Sequence, residues 1–264
     1  MIHEQRLETA RGTFRCLEAG AGWPVLLLHA FPLTADMWRP QLEHPAQGWR
    51  YLAPDLRGFG GSPSGSLRPT MDDYAADAEA VLDALEIETA AIGGLSMGGY
   101  ITFALHRRAP DRFTSIVLAD TKAEADTPEG RENQRAMSAL VISEGVGAVA
   151  DRMLPKLLAA DADPETVATA RRLIERNTVE GIDNAIHAMM GRPDSTPDLP
   201  HMTVPMLVIV GQDDVLTPPP DSERIQRATG RSQLVVLTGA GHLSNLEAPE
   251  AFSTALVNFL SSAM

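Results

Sequence analysis

A chain of 264 residues is long enough to bury a substantial core, and 44% hydrophobic with 22% charged residues is ordinary for a folded globular protein. The formal net charge of −13 opposes a phosphate backbone at long range, and Lys and Arg are scattered, so no nucleic acid is expected as a partner. Cys16 is the only cysteine, which excludes an internal disulfide, and the polar opening "MIHEQRLETARG" and the lack of about 18 continuous apolar residues argue for a cytoplasmic chain without a membrane partner.

In chain order, "HEQRLETA" and "GTFRCLEAG" alternate and are joined through Arg11-Gly12, which predicts an N-terminal β-hairpin with Cys16 as a small buried strand residue. The continuous apolar run "PVLLLHAF" is too short for a helix and fits a strand buried on both faces of a parallel sheet. Similar runs recur at "RYLAPDL", "AAIGG", "TSIVLAD", "MLVIVG" and "QLVVLTG". Helical patterns lie between several of them, at "MDDYAADAEAVLDALEI", at Met97 to Arg108 and at the C-terminal "APEAFSTALVNFLSSAM". Buried strands alternating with helices predict an α/β sheet.

That rhythm breaks between about Lys122 and Val204, where about four helices and no strand are predicted. Two of them carry start signals, Thr127 before Pro128 and Asp163 before Pro164, an N-cap followed by proline at the first helical position. We therefore expect a core domain of residues 1–121 and 204–264 with a helical cap inserted at 122–203.

Gly94-Leu95-Ser96-Met97-Gly98 has the G-x-S-x-G spacing of a nucleophile elbow. A serine on a sharp strand-to-helix turn adopts a strained backbone, so only tiny side chains fit beside it. The apolar "AAIGG" leads in and the helix-compatible "MGGYITFALHRRA" leads out, aiming a helix N-terminus at the serine. Serine alone is a poor nucleophile at neutral pH and requires a base with an orienting group.

His242, in a glycine-rich loop between a buried strand and the last helix, is the best base among the seven histidines. For the acid, "MLVIVGQDDVLTPPP" offers Asp213 and Asp214 just past a strand; Asp214 suits the loop better, while Asp213 and the strand-ending Asp120 remain alternatives. An oxyanion hole is also needed, with one backbone N–H from Met97 and the other from the loop "LLLHAFPLTADMW". In that loop Pro32 has no N–H to give, and His29 reads as a structural residue that holds the turn presenting the Phe31 N–H.

The order Ser96, Asp214, His242, with "HAFP", "DLRGFGGS", "GLSMGG", "GQDD" and "GAGH", resembles the α/β-hydrolase superfamily over nearly the whole chain. The resemblance implies an eight-stranded, mostly parallel sheet with a helical cap after the sixth strand, a triad of Ser96, Asp214 and His242, and oxyanion donors at Phe31 and Met97. One departure is Ala30, where the family usually has glycine, and its methyl bears on the geometry of Phe31. In "DLRGFGGS", Asp55 and Arg57 are expected to brace a turn below the site without a catalytic part. Within the superfamily the motifs look most like small bacterial carboxylesterases, enol-lactonase-like proteins and cofactor-free haloperoxidase or perhydrolase relatives.

The expected reaction is acyl transfer on a small-molecule ester, with no metal or organic cofactor. Small apolar esters would meet Phe31, Trp38, Met137, Met153, Leu157, Ile186 and Met190 as pocket candidates; Met189 belongs to the same set, and helical spacing gives core packing as the competing role for those in the cap. An enol-lactonase is the second reading and needs a cation for a substrate carboxylate; Lys122, Lys156, Arg171 and Arg172 are available, though helical charges of this kind usually form a solvated face. Perhydrolysis would use the same residues. A receptor or scaffold on this fold is the non-enzymatic alternative, disfavoured by the full triad with both flanking glycines.

Overall fold

Runs of alternating and continuous apolar residues become eight strands in the computed structural model, which describes residues 1–65 and 68–262. The hairpin strands β1 (His3–Thr9) and β2 (Gly12–Gly20) pair antiparallel, turning at Thr9 and Gly12, where a φ of 133° suits only glycine. Strand β3 (Trp23–Leu28) is followed by a 3-10 turn at Ala35–Trp38 and the short helix α1 (Arg39–Glu43), neither of which the sequence pattern announces. Then come β4 (Trp49–Pro54), α2 (Met71–Ala84), β5 (Ala90–Leu95), α3 (Met97–Arg108) and β6 (Phe113–Ala119). A capping box between Thr70 and Asp73 starts α2.

Four helices separate β6 from the next strand: α4 (Pro128–Glu144), α5 (Val146–Leu157), α6 (Pro164–Glu175) and α7 (Val179–Met190). Thr127 caps the Gly130 N–H of α4, Asp163 caps α6 through Glu165 and Thr166, and Thr178 caps α7. Helix α4 packs on α7 and α5 on α6. The chain returns through β7 (Met206–Gly211), α8 (Pro219–Ala228), β8 (Ser232–Leu237), α9 (Ser244–Glu247) and α10 (Pro249–Ser262). The tail of the predicted last helix, residues 263–264, lies outside the described residues. Helix α8 has no periodic signature in the sequence, because it buries only Ile225 among its apolar residues, too little for a stripe.

The strands lie in the order β1-β2-β4-β3-β5-β6-β7-β8, parallel from β4 to β8, with β2 antiparallel to both β1 and β4. This is an α/β hydrolase fold. Alternate residues of one strand feed opposite faces: Leu26 and Leu28 join the core under α2 and α3, while Val25 and Leu27 join the core under α1 and α10. That two-sided burial explains the unbroken apolar runs. Cys16 is fully buried, with its thiol pushed up to about 12 by burial. Among the described residues no helix is long and apolar enough to cross a membrane.

Candidate active site

Because β3, β5, β6, β7 and β8 run parallel, the loops that follow them open on one edge of the sheet. Those loops carry Phe31, Ser96, Lys122, Asp214 and His242, far apart in the chain.

Ser96 stands between β5 and α3 with φ 55° and ψ −111°, a strained conformation for a non-glycine residue. Its flanking glycines are demanded by space. A Cβ on Gly94 would lie 2.6 Å from the Gly98 Cα, and a Cβ on Gly98 would lie 2.2 Å from the Leu28 carbonyl oxygen. The turn is further tied down where the Ser96 N–H donates to Ala119 O (2.9 Å) and Thr121 Oγ1 donates to Ser96 O (2.9 Å). Met97 is the first residue of α3, where an N–H has no intrahelical acceptor.

Asp214 is buried and fully used as an acceptor. Its Oδ1 takes the N–H groups of Leu216 (2.8 Å) and Thr217 (3.0 Å), and its Oδ2 takes Thr217 Oγ1 (2.7 Å) and His242 Nδ1 (2.8 Å). Burial alone would raise this carboxyl, but the imidazole beside it and the hydrogen bonds from His242 and Thr217 leave it below the ordinary aspartate value. With Nδ1 donating to a carboxylate, the other ring nitrogen of His242 is left as an acceptor. His242 is 2% exposed, and it shares a cavity with Ser96.

The two other candidate acids sit elsewhere. Asp213 is exposed, with its backbone N–H on Ala240 O. Asp120 is fully buried but bonds to Ser244 Oγ and the Gly211 N–H (2.8 Å), not to His242. Burial and the neighbouring Asp214 push the Asp120 carboxyl well above its ordinary value.

In the "HAFP" loop, His29 is buried, donates from Nδ1 to Ala30 O (3.0 Å) and accepts the Leu56 N–H at Nε2 (3.0 Å). Both ring nitrogens are therefore engaged in holding turns, and burial depresses its basicity. Phe31 lines the cavity and precedes a cis bond to Pro32. The Ala30 methyl points into the core with Leu33 and Met37 and does not line the cavity.

"DLRGFGGS" departs from expectation in its partners. Asp55 takes the Ala35 and Gly61 N–H groups and Arg15, whereas Arg57 leaves the turn for Asp77 on α2. Asp55 thus braces two loops, and Arg57 ties α2 to the sheet.

The cavity has a volume of about 250 Å³. Of the pocket candidates, Phe31, Met137, Met153, Leu157 and Met189 line it. Three do not. Trp38 is 1% exposed and packs against Phe252 at 5.8 Å, on the far face of the sheet, because the 3-10 turn rotates it inward. Ile186 points into the core that α7 shares with α4, and Met190, one step round the helix from the lining Met189, packs against that same core. Among the cations, Lys122 and Lys156 line the cavity, together with Arg152, which no motif in the sequence marks. Arg171 instead pairs with Asp151 and Glu175, and Arg172 bonds Thr169, both on a solvated face.

Three further residues position the site without having been singled out. Thr217 locks Asp214, three residues before it, in a side-chain turn readable in "DDVLT". Asn177, between α6 and α7, joins the inserted helices to two loops, donating to Pro32 O (2.7 Å) and accepting the Gly60 N–H (3.0 Å). Glu247 accepts the Gly241 N–H (2.9 Å) beside His242 and the Ala159 N–H (2.7 Å) past α5. Long-range partners of this kind leave no local signal. Among the described residues no group of three or more His, Cys, Asp or Glu side chains is arranged to hold a metal ion.

Comparison with known proteins agrees with this architecture. A thermophilic esterase from Thermogutta terrifontis, solved with malate bound, superposes with a TM-score of 0.93 at 37% identity, covering 99% of each chain. By sequence, 3-oxoadipate enol-lactonase 2 of Acinetobacter baylyi is 29% identical over 84% of this chain and 82% of its own. A putative non-heme chloroperoxidase of Synechocystis is 28% identical over 92% and 93%. Residues 24–249 match the α/β hydrolase fold family. With that match spanning most of its length, the chain belongs to the α/β hydrolase fold family.

Proposed function

We propose that this protein is a serine carboxylesterase that hydrolyses small carboxylic esters through an acyl-enzyme on Ser96. The observation that carries the reading is the buried His242 Nδ1 to Asp214 Oδ2 hydrogen bond of 2.8 Å beside the cavity that Ser96 shares with His242. His242 takes the Ser96 proton as the hydroxyl attacks the ester carbonyl, and returns it to the departing alkoxide. Water then repeats the sequence on the acyl-enzyme and releases the acid. Asp214 holds the tautomer and offsets the imidazolium charge.

The N–H groups of Phe31 and Met97 act as the oxyanion donors, each worth about 3 kcal/mol in the transition state. Residues 122–203 form the cap that closes the cavity with Met137, Met153 and Leu157. The second reading, a lactonase, is supported by Lys122 and Lys156 at the cavity and by the name of the Acinetobacter relative. Perhydrolysis would differ only in peroxide replacing water.

A fluorophosphonate probe tests the shared chemistry. Ser96 labels stoichiometrically, and neither Ser96→Ala nor His242→Ala turns over a p-nitrophenyl ester. A folded protein that does not label at Ser96 refutes every serine-hydrolase version.

A further inference from the structure

The cavity beside Ser96 has a mixed lining. Phe31, Met137, Met153 and Leu157 give it apolar surface, and Lys122, Arg152 and Lys156 give it cations. A cluster of three cations is unexpected in a protein of net charge −13 unless something nearby needs it.

Lys122 already has a partner: Asp126, the one acidic residue among those lining the cavity, stands 3.8 Å from Lys122 and also pairs with buried Arg192 at 2.9 Å. Arg152 and Lys156 are the lining cations without such a partner among the described residues. Arg152 and Lys156 are four residues apart on α5, a spacing at which like charges repel by a few tenths of a kcal/mol. Asp151, next to Arg152, is engaged by Arg171, and neither Arg152 nor Lys156 makes an ion pair among the described residues. The amide side chains of Asn133 and Gln134, on α4, also line the cavity and offer neutral donors.

We propose that Arg152, Lys156 and Lys122 form a carboxylate subsite, so that the preferred substrates are small esters or lactones bearing a free carboxylate beyond an apolar spacer. This deepens the serine-hydrolase reading and rests on it. Met153 and Leu157 alternate with the cations on α5, so one helix presents both the spacer's apolar surface and the charges that receive its end. A volume of about 250 Å³ lies below the range of about 300–1,000 Å³ typical of drug-sized ligands, which favours a short spacer. The global negative charge opposes an incoming anion at long range, so contact with these cations must supply the preference.

The test compares two p-nitrophenyl esters with five-carbon acyl chains, the hemiglutarate and the valerate. The expected wild-type kcat/KM is at least tenfold higher for the hemiglutarate. In Arg152→Gln/Lys156→Gln that ratio falls at least fivefold, whereas Arg171→Gln, outside the cavity, keeps it. Glutarate slows fluorophosphonate labelling of Ser96 in the wild type and does so less in the double variant, a readout that requires no turnover. A wild-type ratio at or below one, or a ratio or glutarate protection that the double variant leaves unchanged, overturns the subsite. Failure of Ser96 to label at all overturns the hydrolase reading itself, which separates the two failures.

Discussion

Replacing Asp214 by asparagine removes one charge and one acceptor while keeping size. The structure determines which way the new amide turns. If its oxygen faced His242, the amide NH2 would point at the N–H groups of Leu216 and Thr217, leaving two backbone donors unpaired at about 1–3 kcal/mol each. The oxygen therefore stays on Leu216 and Thr217, and the NH2 donates toward Thr217 Oγ1 and His242 Nδ1. His242 then presents a lone pair at Nδ1 and a proton on the other nitrogen, so it cannot accept the Ser96 proton. A wrong tautomer of this kind costs about 10⁴ in kcat, or about 5 kcal/mol. The assay is p-nitrophenyl ester hydrolysis, with thermal unfolding as the control for folding and Asp213→Asn as the comparison. Asp213→Asn, exposed, should stay within about threefold of wild type, since surface changes are usually within about 0.5 kcal/mol. Retention of more than a tenth of kcat in a folded Asp214→Asn, or a larger loss in Asp213→Asn, would refute the assignment.

Asp120 and Glu247 provide two further tests. A carboxyl raised above its ordinary 3.8 is bound to its proton in the folded state where the unfolded chain has lost it, so stability falls as pH rises from about 3.8 toward the folded-state value. Asp120→Asn carries no such loss, and its Tm relative to wild type should climb across that interval; a flat difference would mean that the carboxyl titrates alike in both states. Glu247→Ala strips an acceptor from Gly241 and Ala159, worth about 2 kcal/mol together, and loosens the His242 loop from α5. Its Tm should drop by several degrees with a fall in kcat, and an unchanged Tm would remove Glu247 as a clamp.

Local sequence carries those parts of the site whose physics is local. The Gly94 and Gly98 flanks announce the elbow because no Cβ fits at either position, whatever the rest of the chain does. Asp214 and His242 are legible because each follows an apolar run that reads as a strand, which puts both at the same end of a parallel sheet; β7 is buried throughout, but β8, expected to be buried, is a half-exposed edge strand with Val236 44% exposed, because it has a neighbour on one side only. Periodicity says less about the four inserted helices. It identifies α5 and α7 as amphipathic, but a stripe of apolar residues does not say whether it faces a core or a cavity, so Met153 reaches the cavity while Ile186 packs inside.

From its own residues the chain determines the order of the strands and the longer helices apart from α8, the strained serine turn and the loops that carry Asp214 and His242, because backbone sterics and apolar periodicity act within a few residues. Tertiary structure alone decides that His242 bonds Asp214 rather than Asp213 or Asp120, and that Asn177 and Glu247 tie the inserted helices and the residues after α5 to the loops around Ser96 and His242. It also decides that Arg152 and Lys156, both exposed, border the cavity beside Ser96, while Arg171 is taken up by Asp151 and Glu175. Those outcomes depend on how elements distant in sequence pack against one another, and a charge on a helix has no means of recording which neighbour it will meet.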